Sequence, residues 1–231
     1  AAVSEPVKPI VFYLDRTIPK EYKPWVKEGV EGWQKAFEAA GFKNAIIAQD
    51  APDDSTWDAE DVRYSTIRWI TSTQPSFGAI GPSRTDPRTG EILDADILFE
   101  DSFIQNFRNG FRRFVGPEAI ADEILPETRM KQWPNWMPLD RRCEASLGAA
   151  DGASLMHVAM LMDGTLAPGS PVPDQYLRQA IVWSVMHEVG HSLGLRHNFR
   201  GSTATPWARL NDTGWVTEHG MYTSVMEYPS P

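Results

Sequence analysis

The sequence predicts an α+β fold, and three observations lead to this prediction. A segment rich in β-forming residues lies near the start of the chain, at residues 9–15. Apolar residues then recur with helical spacing over residues 25–40. After further strand-like segments, the helical pattern returns at residues 174–193. The order of a strand, a helix, several strands and then helices is typical of the α+β class.

The N-terminal half of the chain contains four candidate strands and one candidate helix. The strands are expected at residues 9–15 (PIVFYLD), 45–48 (AIIA), 62–71 (VRYSTIRWIT) and 92–100 (ILDADILFE), the last of them a candidate edge strand. The helix over residues 25–40 is expected to end at Gly41, because glycine tolerates the positive φ that often closes a helix.

The remaining segments are expected to be loops and helices. Residues 77–90 predict a loop that ends in a turn at DPRTG. Two helices are expected at residues 102–114 and 145–162. The last helix is expected to take Asp174 as its N-cap, since a short acidic side chain can accept hydrogen bonds from the first helical N–H groups.

Composition and charge exclude several classes of protein. The chain has 231 residues, of which 42% are hydrophobic and 23% charged, as in a single globular domain. The net charge of −9 argues against binding to nucleic acid or to an anionic membrane, which requires a basic surface. No apolar run approaches the roughly 18–20 residues of a membrane-spanning helix. The single cysteine, Cys143, excludes an internal disulfide framework and a cysteine-rich zinc site.

The last predicted helix carries the pattern HEVGHSLGLRH, which predicts a metal site. His187 and His191 lie four residues apart, so one face of a helix presents both imidazoles, and both can contact one metal at about 2.0–2.1 Å. Gly194 allows the chain to leave the helix sharply, and the turn can return His197 as a third ligand. Three protein ligands leave a fourth position for water, which is the arrangement of a catalytic zinc site rather than a structural one.

Glu188 is the predicted general base, because it follows the first histidine and can lean towards the open position of the metal. The pattern is specific: its five fixed positions would recur by chance in a chain of this size on the order of once in 100,000 sequences. The other two histidines, His157 and His219, lie in no such pattern. His157 sits in an apolar, helix-like run and is predicted to be structural.

The two motifs near the C-terminus resemble those of the metzincin zinc peptidases. HEVGHSLGLRH matches the signature H-E-x-x-H-x-x-G-x-x-H of that clan. The sequence SVMEY, at residues 224–228, is similar to the Met-turn of astacins and serralysins. By this resemblance, Met226 forms an apolar floor beneath the metal. Tyr228 is implied to ligate the metal or to contact the transition state.

The resemblance extends over most of the chain and points to one bacterial family. The matching segments are residues 9–42 (PIVFYLDRTIPKEYKPWVKEGVEGWQKAFEAAGF), 86–101 (DPRTGEILDADILFED), 187–199 (HEVGHSLGLRHNF) and 224–229 (SVMEYP). Together they resemble the "met-zincin" family of large, exported, zinc-dependent metalloproteases that contain several domains of unknown function. The resemblance implies a metzincin-like, or zincin, core. It would have a mixed twisted sheet, a long backing helix, an active-site helix, and then a mostly irregular or helical C-terminal subdomain.

The resemblance also divides the chain and places it within a longer protein. The N-terminal subdomain is expected over about residues 1–197 and the C-terminal subdomain over about residues 198–231 of one catalytic domain. Metzincins continue past the Met-turn into a helix, whereas this chain ends three residues after Tyr228. We therefore expect the chain to be a segment of a longer, exported protein with further domains.

The expected function is a zinc-dependent endopeptidase that takes a polypeptide substrate. Metzincins bind an extended peptide along an edge strand, and the strand at residues 92–100 is the candidate, with Ile97, Leu98 and Phe99 nearest the site. Two alternatives stay open at this point. One is a zinc-binding domain with a binding or scaffold role and little peptidase turnover. The other is a zinc hydrolase that acts on a non-peptide amide or ester.

Overall fold

The computed structural model describes residues 3–54, 56–72, 78–105, 156, 158–167, 170 and 173–228, and the account that follows concerns these residues. Most of the helix expected at residues 102–114 lies outside them, as do much of the helix expected at residues 145–162, Cys143 and His157. The described parts of the two helices, residues 102–105, 156 and 158–162, are helical.

The fold is α+β, with helices packed on a mixed sheet. The strands are β1 (Ile10–Leu14), β2 (Ile46–Asp50), β3 (Ser65–Ile70), β4 (Ala79–Ile80), β5 (Ser83–Thr85) and β6 (Ile92–Glu100). The helices with described bounds are α1 (Lys23–Glu31), α2 (Gln34–Ala39), α3 (Asp174–Ser192) and α4 (Thr213–His219), and two short 3₁₀ helices lie at Gly201–Ala204 and Trp207–Arg209. The α+β class predicted from the sequence is confirmed.

The sheet has the strand order β2-β1-β3-β6-β4, and β5 also pairs with β6. The four longer strands, β1, β2, β3 and β6, run parallel to one another. The two short strands, β4 and β5, pair with β6 in the antiparallel sense. The sheet is therefore mixed, as the resemblance implied.

The prediction that β6 is an edge strand is wrong. On one side, Ile97 pairs with Ile67 of β3. On the other side, Leu98 and Phe99 pair with Ile80 and Ala79 of β4. Both hydrogen-bonding edges of this part of β6 are occupied, so Ile97, Leu98 and Phe99 do not form an edge that a peptide can extend. Within the described residues, β4 is the outer strand at this end of the sheet.

The backing helix is shorter than expected, because the chain tightens between α1 and α2. Trp33, in the break, has its backbone N–H bonded to a carbonyl three residues earlier at 3.3 Å, a 3₁₀-type contact. Its indole Nε1 donates to the carbonyl of Met186 at 2.9 Å, which links the break to α3. The predicted helix end at Gly41 is confirmed, since this glycine has a φ of +97°.

Helix α3 packs on the sheet through an apolar face and crosses α1 closely. The core residues include Phe12, Ile46, Ile67, Ile97, Phe99, Val26, Val30, Ile181, Val185 and Val189. At the crossing, a Cβ added to Gly29 would lie 2.6 Å from Val185 Cβ, so only glycine permits this approach.

The expected N-cap of α3 is displaced by one residue. Pro173 takes the cap position, and Asp174 lies in the first turn, where its negative charge interacts favourably with the helix dipole. In the described part of the chain, no helix has the length and apolar character needed to cross a membrane.

Candidate metal centre

The C-terminus of α3 ends in a Schellman motif that turns the chain back towards the helix. The N–H of Leu195 donates to the carbonyl of Gly190 at 3.0 Å, and the N–H of Gly194 donates to the carbonyl of His191 at 2.9 Å. Gly194 has a φ of +89°, a conformation that favours glycine. This local turn, as predicted from the spacing, brings His197 to the end of the helix.

The three histidines of the motif converge. Their candidate ligand atoms all lie within 4.8 Å of one another, and within the described residues this is the one such group of three or more His, Cys, Asp or Glu side chains. The Nε2 atoms of His191 and His197 are 3.1 Å apart. The ring centroids of His187 and His191 are 4.8 Å apart, and those of His187 and His197 are 5.3 Å apart.

Backbone carbonyls orient two of the three imidazoles. His187 Nδ1 lies 2.8 Å from the carbonyl oxygen of Val225, and His191 Nδ1 lies 3.0 Å from that of Leu195. A carbonyl oxygen can only accept, so each Nδ1 carries the proton and each Nε2 carries a lone pair. Such a hydrogen bond fixes the ring and its tautomer in metal-binding histidines generally.

The environment keeps the histidines neutral. Burial lowers the pKa of His187 to about 3, and the other two imidazoles lower it further by smaller amounts. The hydrogen bond that His187 donates to the Val225 carbonyl opposes this shift. Burial lowers the pKa of His197 to about 4, and it also lowers the pKa of His191. At neutral pH all three rings therefore keep the lone pairs that a metal requires.

The donor set fits a zinc ion. Two nitrogens at about 2.0–2.1 Å from a tetrahedral zinc are about 3.3 Å from each other, close to the separation of the His191 and His197 Nε2 atoms. Three neutral imidazoles with an open fourth position are a common catalytic zinc set. Other late first-row metals accept the same ligands.

The Met-turn lies directly beneath α3. Met226 is buried, and its carbonyl accepts a hydrogen bond from the N–H of Asn198 at 2.9 Å, so the turn is fastened to the chain just after His197. The carbonyl of the preceding residue, Val225, holds His187 as described above. Met226 thus packs against Gly190 of α3, which lies between His187 and His191 in the sequence.

Tyr228 lies beside the histidine cluster. Its ring centroid is 4.7 Å from that of His197 and 5.9 Å from that of His187. The partly exposed Phe199 stacks edge-on against Tyr228 at 5.2 Å. His219 is not a member of the cluster; its ring stacks on Trp215 at 4.5 Å.

Glu188 is almost fully buried, and a glycine of the sheet edge packs against it. A Cβ added to Gly81 would lie 2.5 Å from the Glu188 carbonyl oxygen and 3.2 Å from its Oε2. Gly81 lies between β4 and β5, so the outer part of the sheet borders the predicted general base directly. The sequence did not predict this contact, because a strand as short as Ala79–Ile80 carries no periodic signal.

A glycine-to-alanine change at the floor of the site is expected to destabilise the protein. A Cβ at Gly190 would lie 3.0 Å from Trp33 Cζ2 and 3.3 Å from Met226 Cε, and closer still to Met226 Sδ. Overpacking of this kind costs about 1–3 kcal/mol of unfolding free energy. We expect Gly190→Ala to lower Tm by thermal denaturation. Gly214→Ala in α4 is the control, since its Cβ would meet only Asp212 Oδ1 at 3.6 Å. An equal Tm for Gly190→Ala and wild type would contradict the close packing of Met226 on α3.

Comparison with known families finds one match, in the C-terminal segment. Residues 169–231 match the model of a family described as Met-zincin, which confirms the resemblance for this part of the chain. The match includes the histidine cluster, Glu188 and the Met-turn. The segments at residues 9–42 and 86–101, on which the resemblance also rested, lie outside it. Comparisons with curated proteins and with solved structures return no match.

Proposed function

We propose that this chain, whose residues 169–231 match the Met-zincin family, is a zinc-dependent endopeptidase. The observation that carries the proposal is the convergence of three neutral imidazoles beside a buried glutamate. His187, His191 and His197 would hold the ion. Bound zinc supplies a Lewis acid and lowers the pKa of a coordinated water to about 7.

Glu188 acts as the general base in this proposal. It follows a metal-binding histidine on α3 and is 1% exposed, so bulk water does not compete for its proton-accepting oxygens. The carboxylate removes a proton from the attacking water and then delivers it to the leaving amine. The packing of Gly81 against its backbone holds this residue in place.

Tyr228 stabilises the developing oxyanion. Its ring contacts two of the three histidines, so the phenol lies at the edge of the metal centre. A phenolic O–H at this position can donate to the negative oxygen of the tetrahedral intermediate. Direct ligation of the metal by Tyr228 is the alternative role that the Met-turn resemblance implies.

The substrate binds along the outer edge of the sheet, which is formed by β4, Gly81 and β5 rather than by β6. β4 pairs with β6 on one side and has no strand on its other side among the described residues. A peptide in extended conformation can add to such an edge through backbone hydrogen bonds. Because Gly81 lies against Glu188, a peptide bound there would pass beside the general base.

Peptide-library profiling of the zinc-loaded chain tests the proposal. We expect cleavage of internal peptide bonds, loss of cleavage on treatment with a chelator, and recovery on addition of zinc. Zinc bound stoichiometrically without cleavage of any peptide would favour the scaffold role. Cleavage of model esters or non-peptide amides alone would favour the other hydrolase. Export and the presence of further domains are part of the same proposal and are supported by the family resemblance.

A further inference from the structure

Glu227, the residue between the floor methionine and Tyr228, is a buried carboxylate with two backbone partners. Its side chain is 4% exposed. Oε2 accepts a hydrogen bond from the N–H of Ser202 at 2.9 Å, and Oε1 accepts one from the N–H of Tyr228 at 3.1 Å. The Oε1 bond therefore lies within the turn, to the next residue, whereas the Oε2 bond joins the turn to the segment at Ser202.

The surroundings of Glu227 are shaped to hold this carboxylate. Burial of a carboxylate is costly unless hydrogen bonds compensate it, and bonds to an ionised acceptor are stronger than those between neutral groups. Gly201 is buried against it: a Cβ at this glycine would lie 3.4 Å from Glu227 Oε2 and 3.2 Å from Ser224 Cβ. A larger residue at position 201 would push the carboxylate or Ser224 aside.

The two segments that Glu227 joins both lead to the metal centre. Ser202 lies five residues after His197, in the stretch that follows the third histidine. Tyr228 lies against His197 and His187. A second backbone link, from Thr223 N–H to the Gly201 carbonyl at 3.3 Å, runs between the same segments. Glu227 is the member of this junction that holds the backbone of Tyr228 itself.

We propose that Glu227 is a positioning residue that fixes Tyr228 against the histidine cluster. The carboxylate accepts hydrogen bonds from the N–H of Tyr228 and from the N–H of Ser202. It thereby fixes the position of Tyr228 relative to the segment that carries His197. The orientation of the ring is a property of this chain and does not depend on turnover. Its effect on catalysis rests on the proposed function.

Fluorine NMR of the zinc-loaded chain, with fluorotyrosine in place of tyrosine, tests the positioning directly. The resonance of Tyr228 is assigned by its disappearance in Tyr228→Phe. We expect Glu227→Gln to shift or broaden this resonance, because the amide retains one acceptor oxygen and turns an NH₂ group towards the second backbone N–H. Glu227→Asp keeps the charge but is one methylene shorter, and it should shift the same resonance. If Glu227→Gln does not fold, Glu227→Asp serves as the test of whether Glu227 positions Tyr228.

A matched control is available in Glu100, which is also buried and accepts two hydrogen bonds, from Ser72 N and Ser72 Oγ at 2.9 and 2.7 Å. Glu100→Gln should leave the Tyr228 resonance in place. An unchanged Tyr228 resonance in a folded Glu227→Gln or Glu227→Asp variant would overturn the proposal. A displacement of the same size in Glu100→Gln would also overturn it, because the effect would then reflect general destabilisation.

A double-mutant cycle on kcat tests the consequence for catalysis. Loss of a hydrogen bond to a charged group predicts a fall in kcat of about tenfold in Glu227→Gln. In the Tyr228→Phe background the same change should lower kcat less than about twofold, since coupled residues are not additive. Equal effects in both backgrounds would overturn a role that acts through the Tyr228 hydroxyl. If the wild-type chain shows no turnover, the peptidase proposal fails, whereas the NMR measurement still decides the positioning.

Discussion

Replacement of Glu188 by glutamine is expected to lower kcat by about 10²–10⁴-fold and to leave the zinc content unchanged. Glutamine keeps the volume of the side chain in a site that is 1% exposed, so the fold and the three histidines should be preserved. It cannot accept the proton of the attacking water, and it cannot return one to the leaving amine. The measurement is kcat on a peptide substrate from the library, with zinc determined by elemental analysis on the same sample.

Glu100→Gln is the matched control for this experiment. Glu100 is also 1% exposed, but it lies on β6 outside the histidine motif, and its carboxylate accepts hydrogen bonds from Ser72. Any loss of activity that results merely from neutralising a buried carboxylate should appear in both variants. Wild-type turnover in Glu188→Gln would show that another group removes the proton, and it would exclude the role proposed for Glu188.

The metal centre could be predicted from the sequence because its geometry is local. The separation of His187 and His191 by four residues places both on one face of any helix. The return of His197 depends on one positive φ, and glycine at position 194 signals it. These relations need no knowledge of the tertiary fold, which is why the predicted cluster and the structure agree.

The sheet edge could not be predicted because it depends on contacts distant in sequence. β4 is two residues long and becomes a strand only through pairing with Leu98 and Phe99 of β6. The pattern of β6 alone indicates a strand but does not indicate how many neighbours it has. The contact between Gly81 and Glu188 joins residues more than 100 positions apart. No short sequence window contains this information.

The break between α1 and α2 has a similar explanation. The apolar spacing of residues 25–40 is that of one helix, and the periodicity predicts no interruption. Trp33 forms its hydrogen bond with the carbonyl of Met186, which lies 153 residues away. Glu227 was likewise missed, because the Met-turn pattern leaves that position open and only the folded chain supplies Ser202 as its partner.

Acid is expected to destabilise the metal-free protein over a pH range that lies between the unfolded and folded pKa values of the histidines. The pKa of His187 is about 3 and that of His197 about 4 in the folded chain, against 6.5 in the unfolded chain. Below pH 6.5 the unfolded chain takes up protons that the folded chain does not, so unfolding becomes easier as the pH falls towards the folded pKa values. Above pH 6.5 the titration of these two histidines does not change the free energy of unfolding. At pH 5 the loss is about 2 kcal/mol for the fully buried His187, and it is smaller for the partly exposed His197, whose charge the solvent screens.

The measurement is the free energy of unfolding of the chelated protein in urea, between pH 7 and pH 5. His197→Gln removes one of the titrating groups, so its loss of stability over this range should be smaller than that of the wild type, by about 1 kcal/mol after solvent screening of the partly exposed imidazole. Asp94, whose pKa is raised chiefly by burial, acts in the opposite sense, but it is present in both proteins and cancels in the comparison. Identical pH dependence in the two proteins would mean that His197 is readily protonated in the folded chain.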